Sequence, residues 1–212
     1  MALAKRSNRK DEILQALALM LENNPGQRIT TAALADAVGV SEAALYRHFP
    51  SKARMFEGLL EFTETTLQDK FTAVQQQPDA MIERLGMLLQ VILMFAERNP
   101  GICRLLTGEA LQGEQERLRE RVTQLFERIE TELRTCLRDG KRRPSKRQEQ
   151  QEEAIAALLL ALCEGKIHQF VRTGFKRSPL SQYELHWATL KTTISQQLQT
   201  EHTSASLRAA VG

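Results

Sequence analysis

Gln27 to Lys52 reads QRITTAALADAVGVSEAALYRHFPSK, and its residue types spell two short helices joined by a tight turn. Ala32, Ala33, Leu34, Ala35 and Ala37 are strong helix formers, Leu34 and Val38 lie four apart on one face, and Thr30 or Thr31 can cap the first helix. Gly39 stands where a chain leaving a helix takes left-handed torsions, which glycine adopts without a Cβ penalty, and Ser41 can cap the next segment. From Glu42 to Phe49, packing Leu45 and Phe49 inward turns Ala43, Ala44, Tyr46, Arg47 and His48 outward. Pro50 ends that helix, and Ser51 can cap a third whose first turn carries Lys52. Two helices, a short turn and small residues opening the second make a helix-turn-helix, so the expected ligand is duplex DNA.

A short alanine-rich helix pair can also serve packing alone. A basic arm upstream, Lys5, Arg6, Arg9 and Lys10, argues for DNA, because it precedes an amphipathic helix with its stripe at Ile13, Leu14, Leu17, Met20 and Leu21. A cationic arm beside a recognition helix suits minor-groove or backbone contact. The candidate DNA-binding residues are therefore Arg6, Arg9, Thr30, Thr31, Ser41, Glu42, Ala43, Ala44, Tyr46, Arg47, His48 and Lys52, with Tyr46 and Lys52 as phosphate clamps.

Composition bounds the rest. The 212 residues are 42% apolar with a formal charge of +3, enough to bury a core and too little to make the surface uniformly cationic. Cys103, Cys136 and Cys163 are an odd set with no CxxC pair, as expected of buried thiols in a reducing cytosol. The opening MALAKRSNRKDEIL lacks a secretory apolar region, and the longest apolar run, Ala154 to Cys163, is too short for a membrane span. No catalytic signature stands out: the four histidines have no second ligand at helical spacing, Glu152 and Glu153 read as solvated, and His168 reads as a packing residue. The chain is expected to be no enzyme and to need no cofactor or metal.

Helix follows helix downstream. A long one from Lys52 past Phe71 leads away from the reading head, and Pro78 is placed to start the next. Met81 to Phe95 is apolar nearly all round, as in a helix buried on most sides, and ERNPG breaks it because Asn99 precedes a proline. Gln112 to Arg138 is amphipathic through Leu118, Val122, Leu125, Phe126, Ile129, Leu133 and Leu137. Residues 140–151 read as a solvated connector. Ala154 to Val171 and Tyr183 to Leu198 are two further helices, able to bury one face and offer the other to a second copy. The small, polar tail, 200–212, is expected to be disordered.

SEAALYRHFPSK, followed by RMFEGLLEF, resembles the signature of the TetR family of bacterial DNA-binding proteins. More narrowly, ILQALALMLE, the stretch from Arg28 to Phe62, FAERNPGICRLLTGEAL, QLFERIETELR and ALCEGKIHQFVRTGFK are similar to the nucleoid occlusion branch of that family. The resemblance implies an all-α, TetR-like fold: a basic arm at 1–8, a three-helix DNA-binding domain at 9–53 and a helical dimerisation domain at 54–199. It implies a homodimer on a palindromic site, one or several dimers per site, residing in the cytoplasm on the nucleoid. It also implies a protein partner, the tubulin-like division protein FtsZ, held in a groove to which Phe62, Lys70, Val91, Met94, Arg98 and Asn99 correspond. Lys70 departs from the family's arginine, keeping charge and losing the bidentate fork. Core packing is the competing role for Phe62, whose neighbours Leu59 and Leu60 are apolar. The alternative for the whole chain is a TetR-type transcriptional repressor released by a small apolar ligand.

Overall fold

The structure, a computed structural model, describes residues 9–114, 116–138 and 144–211, with side chains through Leu198. The described residues form helices α1 (Arg9–Asn23), α2 (Thr31–Val38), α3 (Glu42–His48), α4 (Lys52–Gln75), α5 (Met81–Arg98), α6 (Pro100–Leu106), α7 (Glu116–Leu137), α8 (Lys146–Arg172) and α9 (Tyr183–Val211). One 3₁₀ turn, Glu109–Leu111, separates α6 from α7. The expected all-α class holds among them.

Local chemistry sets the head. The Ala33 N–H donates to the Thr30 hydroxyl at 3.2 Å, the Ala44 N–H to Ser41 at 3.2 Å and the Arg54 N–H to Ser51 at 3.2 Å, so three caps start α2, α3 and α4. Gly39 takes φ 71° and lets α2 turn into α3. Ile13, Leu17, Leu21, Leu34, Leu45 and Phe49 then close a small core under the turn.

Head and body share α4, which runs unbroken from Lys52 to Gln75, so the boundary expected after residue 53 falls inside a continuous helix. A second tie joins α1 to α6. A Cβ on Gly101 would lie 1.9 Å from the Ala18 carbonyl oxygen, so only glycine allows this approach. Arg104, buried beside it, donates to the carbonyls of Leu21 and Asn24, the latter at 2.9 Å, and to Glu109 Oε1 at 2.8 and 3.1 Å. The Leu21 carbonyl lies in the last turn of α1, where no intrahelical donor is available, and Asn24 follows its end.

The body is built round α5, which buries Leu85, Leu88, Leu89, Ile92, Leu93, Phe95 and Ala96. Leu118, Val122, Leu125, Ile129, Leu133 and Leu137 of α7 and Ile155, Leu159, Cys163, Ile167 and Phe170 of α8 belong to the same core, and Phe126 is half-buried. The outward edge of α7 reaches α4 through charge: Arg117 to Glu57, Arg121 to Glu64 at 3.0 Å and Arg128 to Glu64 at 2.9 Å. On α9, Trp187 fills the space over Gly86, and the Tyr183 hydroxyl donates to the Gly86 carbonyl at 2.5 Å.

Several sequence expectations are corrected. Pro78 does not begin α5; it lies in the turn before Met81, which Arg84 closes by donating to the Asp79 carbonyl at 2.9 Å. The ERNPG break shrinks to Asn99, after which Pro100 opens α6. Residues 146–151 of the expected connector are the first turns of α8, because Ser145 and Gln148 form a capping box; residues 140–143 lie outside the described residues. The tail expected to be disordered continues α9 to Val211, since Thr200 to Val211 contains neither glycine nor proline to stop a helix. Glu152 is buried against Arg138, whose Nε donates at 3.2 Å, whereas Glu153 is exposed as expected. His168 is exposed and is no packing residue. Finally, run length underrated α8, which has a mean hydropathy of 1.5 over its most apolar stretch and is long and apolar enough to cross a membrane. One face of it is instead buried in the body.

A candidate DNA-reading face and a groove between α4 and α5

The exposed face of α3 carries Glu42, Ala43, Tyr46 and Arg47, with Ala44 and His48 half-buried behind them. Leu45 and Phe49 point into the core, as their spacing predicts. Tyr46 is 42% exposed, a large aromatic left at the surface of a short helix. Its hydroxyl donates to Thr31 Oγ1 at 3.3 Å, and the Thr31 hydroxyl donates to Glu42 Oε2 at 2.7 Å. These bonds cross between α2 and α3, so the two helices present one fixed polar edge rather than independent side chains. The sequence named all three residues without their linkage.

The remaining candidates divide. Thr30 and Ser41 spend an oxygen lone pair on the caps, leaving their hydroxyl protons for another acceptor. Arg9 is exposed and pairs with Glu12 at 2.6 Å; Arg6 lies outside the described residues. Arg28, exposed just ahead of the α2 cap, was not singled out by motif reading, although a basic residue beside a cap threonine is a usable signal. Lys52 differs from the expected phosphate clamp in one respect. Its ammonium is bound to Glu114 Oε1 at 2.6 Å and lies 5.5 Å from the Phe56 ring centre.

A second feature lies on the body. Helices α4 and α5 run antiparallel across the turn between Gln75 and Met81, and between them opens a groove of about 270 Å³. Phe62, Lys70, Val91, Met94, Arg98 and Asn99 all line it, together with Phe95. All six residues implied by the family resemblance thus meet in one depression. Phe62 is 47% exposed with its ring centre 6.3 Å from that of Phe95, which excludes a buried core role. Asn99 Nδ2 donates to the Phe95 carbonyl at 2.7 Å, so the helix-ending residue is also held as a groove wall. Lys70, two turns beyond Phe62, and Arg98 mark opposite ends of an apolar floor. An extended chain with an apolar anchor and acidic flanks matches that layout. A different depression of about 320 Å³ between α4 and α7 is lined by Leu67, Phe71, Leu125 and Ile129 together with the charged Glu64, Asp69, Arg128 and Glu132.

Comparison with known proteins gives the family of the chain. Residues 10–59 match the family described as bacterial regulatory proteins, tetR family, and residues 79–199 match the SlmA-like C-terminal domain, described as tetracyclin repressor-like. A protein of Alteromonas mediterranea named nucleoid occlusion factor SlmA is 52% identical over 191 residues, covering 90% of this chain and 98% of that one. A protein of Vibrio vulnificus with the same name is 54% identical over 195 residues, covering 92% and 100%. Among solved structures, the fatty acid degradation regulator FadR of Bacillus halodurans superposes with a TM-score of 0.69 at 15% identity over 89% of this chain and 97% of that chain. The TetR-family regulator PfmR of Thermus thermophilus does so with a TM-score of 0.65 at 19% identity over 89% and 96%. At those identities the superpositions speak for the TetR-like fold alone.

Proposed function

Since the chain belongs to the nucleoid occlusion factors named SlmA within the TetR family, we propose that it works as a DNA-bound homodimer. In that state it captures FtsZ and keeps division rings from assembling over the chromosome. The observation that carries this reading is the convergence of Phe62, Lys70, Val91, Met94, Arg98 and Asn99 on one groove. The same rigid helix that begins beside the DNA-reading face also walls that groove.

The dimer is built from α8 and α9. Leu158, 58% exposed, lies on a strip of α8 with Ala154, Ala157, Ala161 and Gly165, and Leu185 of α9 is 70% exposed. Small residues beside a leucine let a second helix approach closely, and the buried area supplies the attraction. Two copies related by a twofold axis place two α3 helices on half-sites of a palindrome, about 34 Å apart or a multiple of that. Thr31, Ser41, Glu42, Ala43, Arg47 and His48 then face base edges, while Tyr46, Lys52 and Arg9 face phosphates. DNA binding supplies the address on the chromosome; capture of FtsZ supplies the output.

The competing reading, a repressor released by an apolar ligand, receives less support. Leu67, Phe71, Leu85, Leu125, Ile129, Leu133 and Leu159 between α4, α5, α7 and α8 are all buried, and the depression that four of them line between α4 and α7 is also lined by the charged Glu64, Asp69, Arg128 and Glu132.

The test is sedimentation of FtsZ polymers with the protein, with and without duplex DNA selected by the protein from a genomic pool. A DNA-dependent fall in pelleted FtsZ supports the proposal. Unchanged pelleting with DNA-saturated protein refutes it and favours the repressor.

A further inference from the structure

Lys52 opens α4 at the rim of the DNA-reading face, yet its ammonium is already taken. Glu114 Oε1 holds it at 2.6 Å, with the lysine side chain 19% and the glutamate side chain 11% exposed. The contact spans the junction of head and body. Glu114 is delivered by a short segment in which Gly108 and Gly113 both take left-handed torsions, at φ 78° and 75°, and the Glu114 N–H donates to the Leu111 carbonyl at 3.1 Å. This segment and the turn between α1 and α2 face each other across a cleft of about 270 Å³, and Lys52 and Glu114 both line it.

A DNA phosphate reaching Lys52 would meet the Glu114 carboxylate on the same ammonium. Two anions within one ammonium's reach repel each other, and the partly buried setting weakens screening by salt. We propose that Glu114 acts through Lys52 as a positioning residue that competes with the DNA backbone: it holds the lysine in the DNA-free protein and is released when phosphate binds. Binding DNA therefore detaches the segment 108–114 from the start of α4. The inference rests on the reading of the α2–α3 face as the DNA interface, and it goes beyond that reading by making the head–body junction differ between the free and bound states.

The experiment uses the full chain and a labelled duplex pool of mixed sequence, titrated by anisotropy across salt concentrations, for the wild type, Glu114→Gln, Lys52→Ala and the double variant. Glu114→Gln keeps shape and removes charge. It is expected to tighten binding about two- to fivefold, the reach of one partly exposed ion pair, and to steepen the log–log salt slope by up to about one. On the Lys52→Ala background the same change should bring no gain. If Glu114→Gln leaves affinity unchanged or weakens it while Lys52→Ala is weakened, the competition is overturned and the DNA face stands. If Lys52→Ala is also silent, the clamp assignment falls with it, and a wild type that binds no duplex overturns the DNA face itself. Hydrogen exchange on the unmodified protein gives a second reading independent of folding defects. Amides of residues 109–114 should exchange faster with DNA bound while those of 41–52 slow. No change at 109–114 overturns the proposal.

Discussion

Tyr46 and Lys52 are both proposed to grip phosphate, but their chemistry separates them. Lysine releases a counterion on binding and tyrosine does not, so Lys52→Ala should weaken DNA binding of every sequence and flatten the salt slope by up to about 0.9. Tyr46→Phe should weaken it alike for all sequences, by roughly three- to tenfold for one lost hydrogen bond, with the slope unchanged. Anisotropy titrations at several salt concentrations distinguish the two. The three cysteines make a different point at this scale. Burial pushes the thiols of Cys103 and Cys163 up to about 12, and that of Cys136 is raised by the same cause. Only thiolate attacks a disulfide reagent, so at pH 8 Cys103 and Cys163 should stay unmodified in the folded chain and react fully in denaturant, as thiol titration reads. The sign follows from the raised values: the folded state keeps the proton through neutral and moderately alkaline pH, and stability held by these buried thiols falls only as pH climbs past the ordinary thiol range.

Among elements, α4 and α6 carry the connection between head and body. Arg104→Met keeps the side chain's length and deletes the guanidinium donors to Leu21, Asn24 and Glu109, while the Asn24 carbonyl keeps the Gln27 N–H at 3.2 Å. A loss of about 3 kcal/mol is expected, read from urea unfolding. Nothing local in the sequence pointed to this tie, because its partners lie some eighty residues apart. The caps at Thr30, Ser41 and Ser51 were legible because cap and helix are neighbours in sequence, and the same holds for the left-handed Gly39. On the other wall of the body, Arg98→Asp reverses charge at one end of the α4–α5 groove. It should leave DNA affinity within about twofold, since the change is far from the reading head, and abolish the effect on FtsZ sedimentation. Parallel loss of DNA binding would mark a folding defect and not a lost contact.

The whole molecule is specified by how such long-range contacts combine. Periodicity located the helices of the body, yet it could not tell that Glu152 is buried with Arg138, that Lys52 meets Glu114, or that α4 and α7 are joined by paired charges. Each is a tertiary pairing of polar residues, to which apolar spacing is blind. The groove residues were reached through family resemblance and not through pattern; geometry supplied their convergence. At this scale the proposed dimer rests on the outer face of α8 and α9. Leu158→Arg with Leu185→Arg places cations on the apolar strip and should yield monomers by light scattering, with DNA affinity down at least about tenfold as paired half-sites no longer cooperate. The close approach of Gly101 to the Ala18 carbonyl has a hereditary side. Every replacement a point mutation can make at a glycine codon adds a Cβ or ends the chain, so this position has no neighbouring step to drift through. Any such replacement pushes α1 away from α6 in a single step, with no intermediate side chain between close fit and its loss.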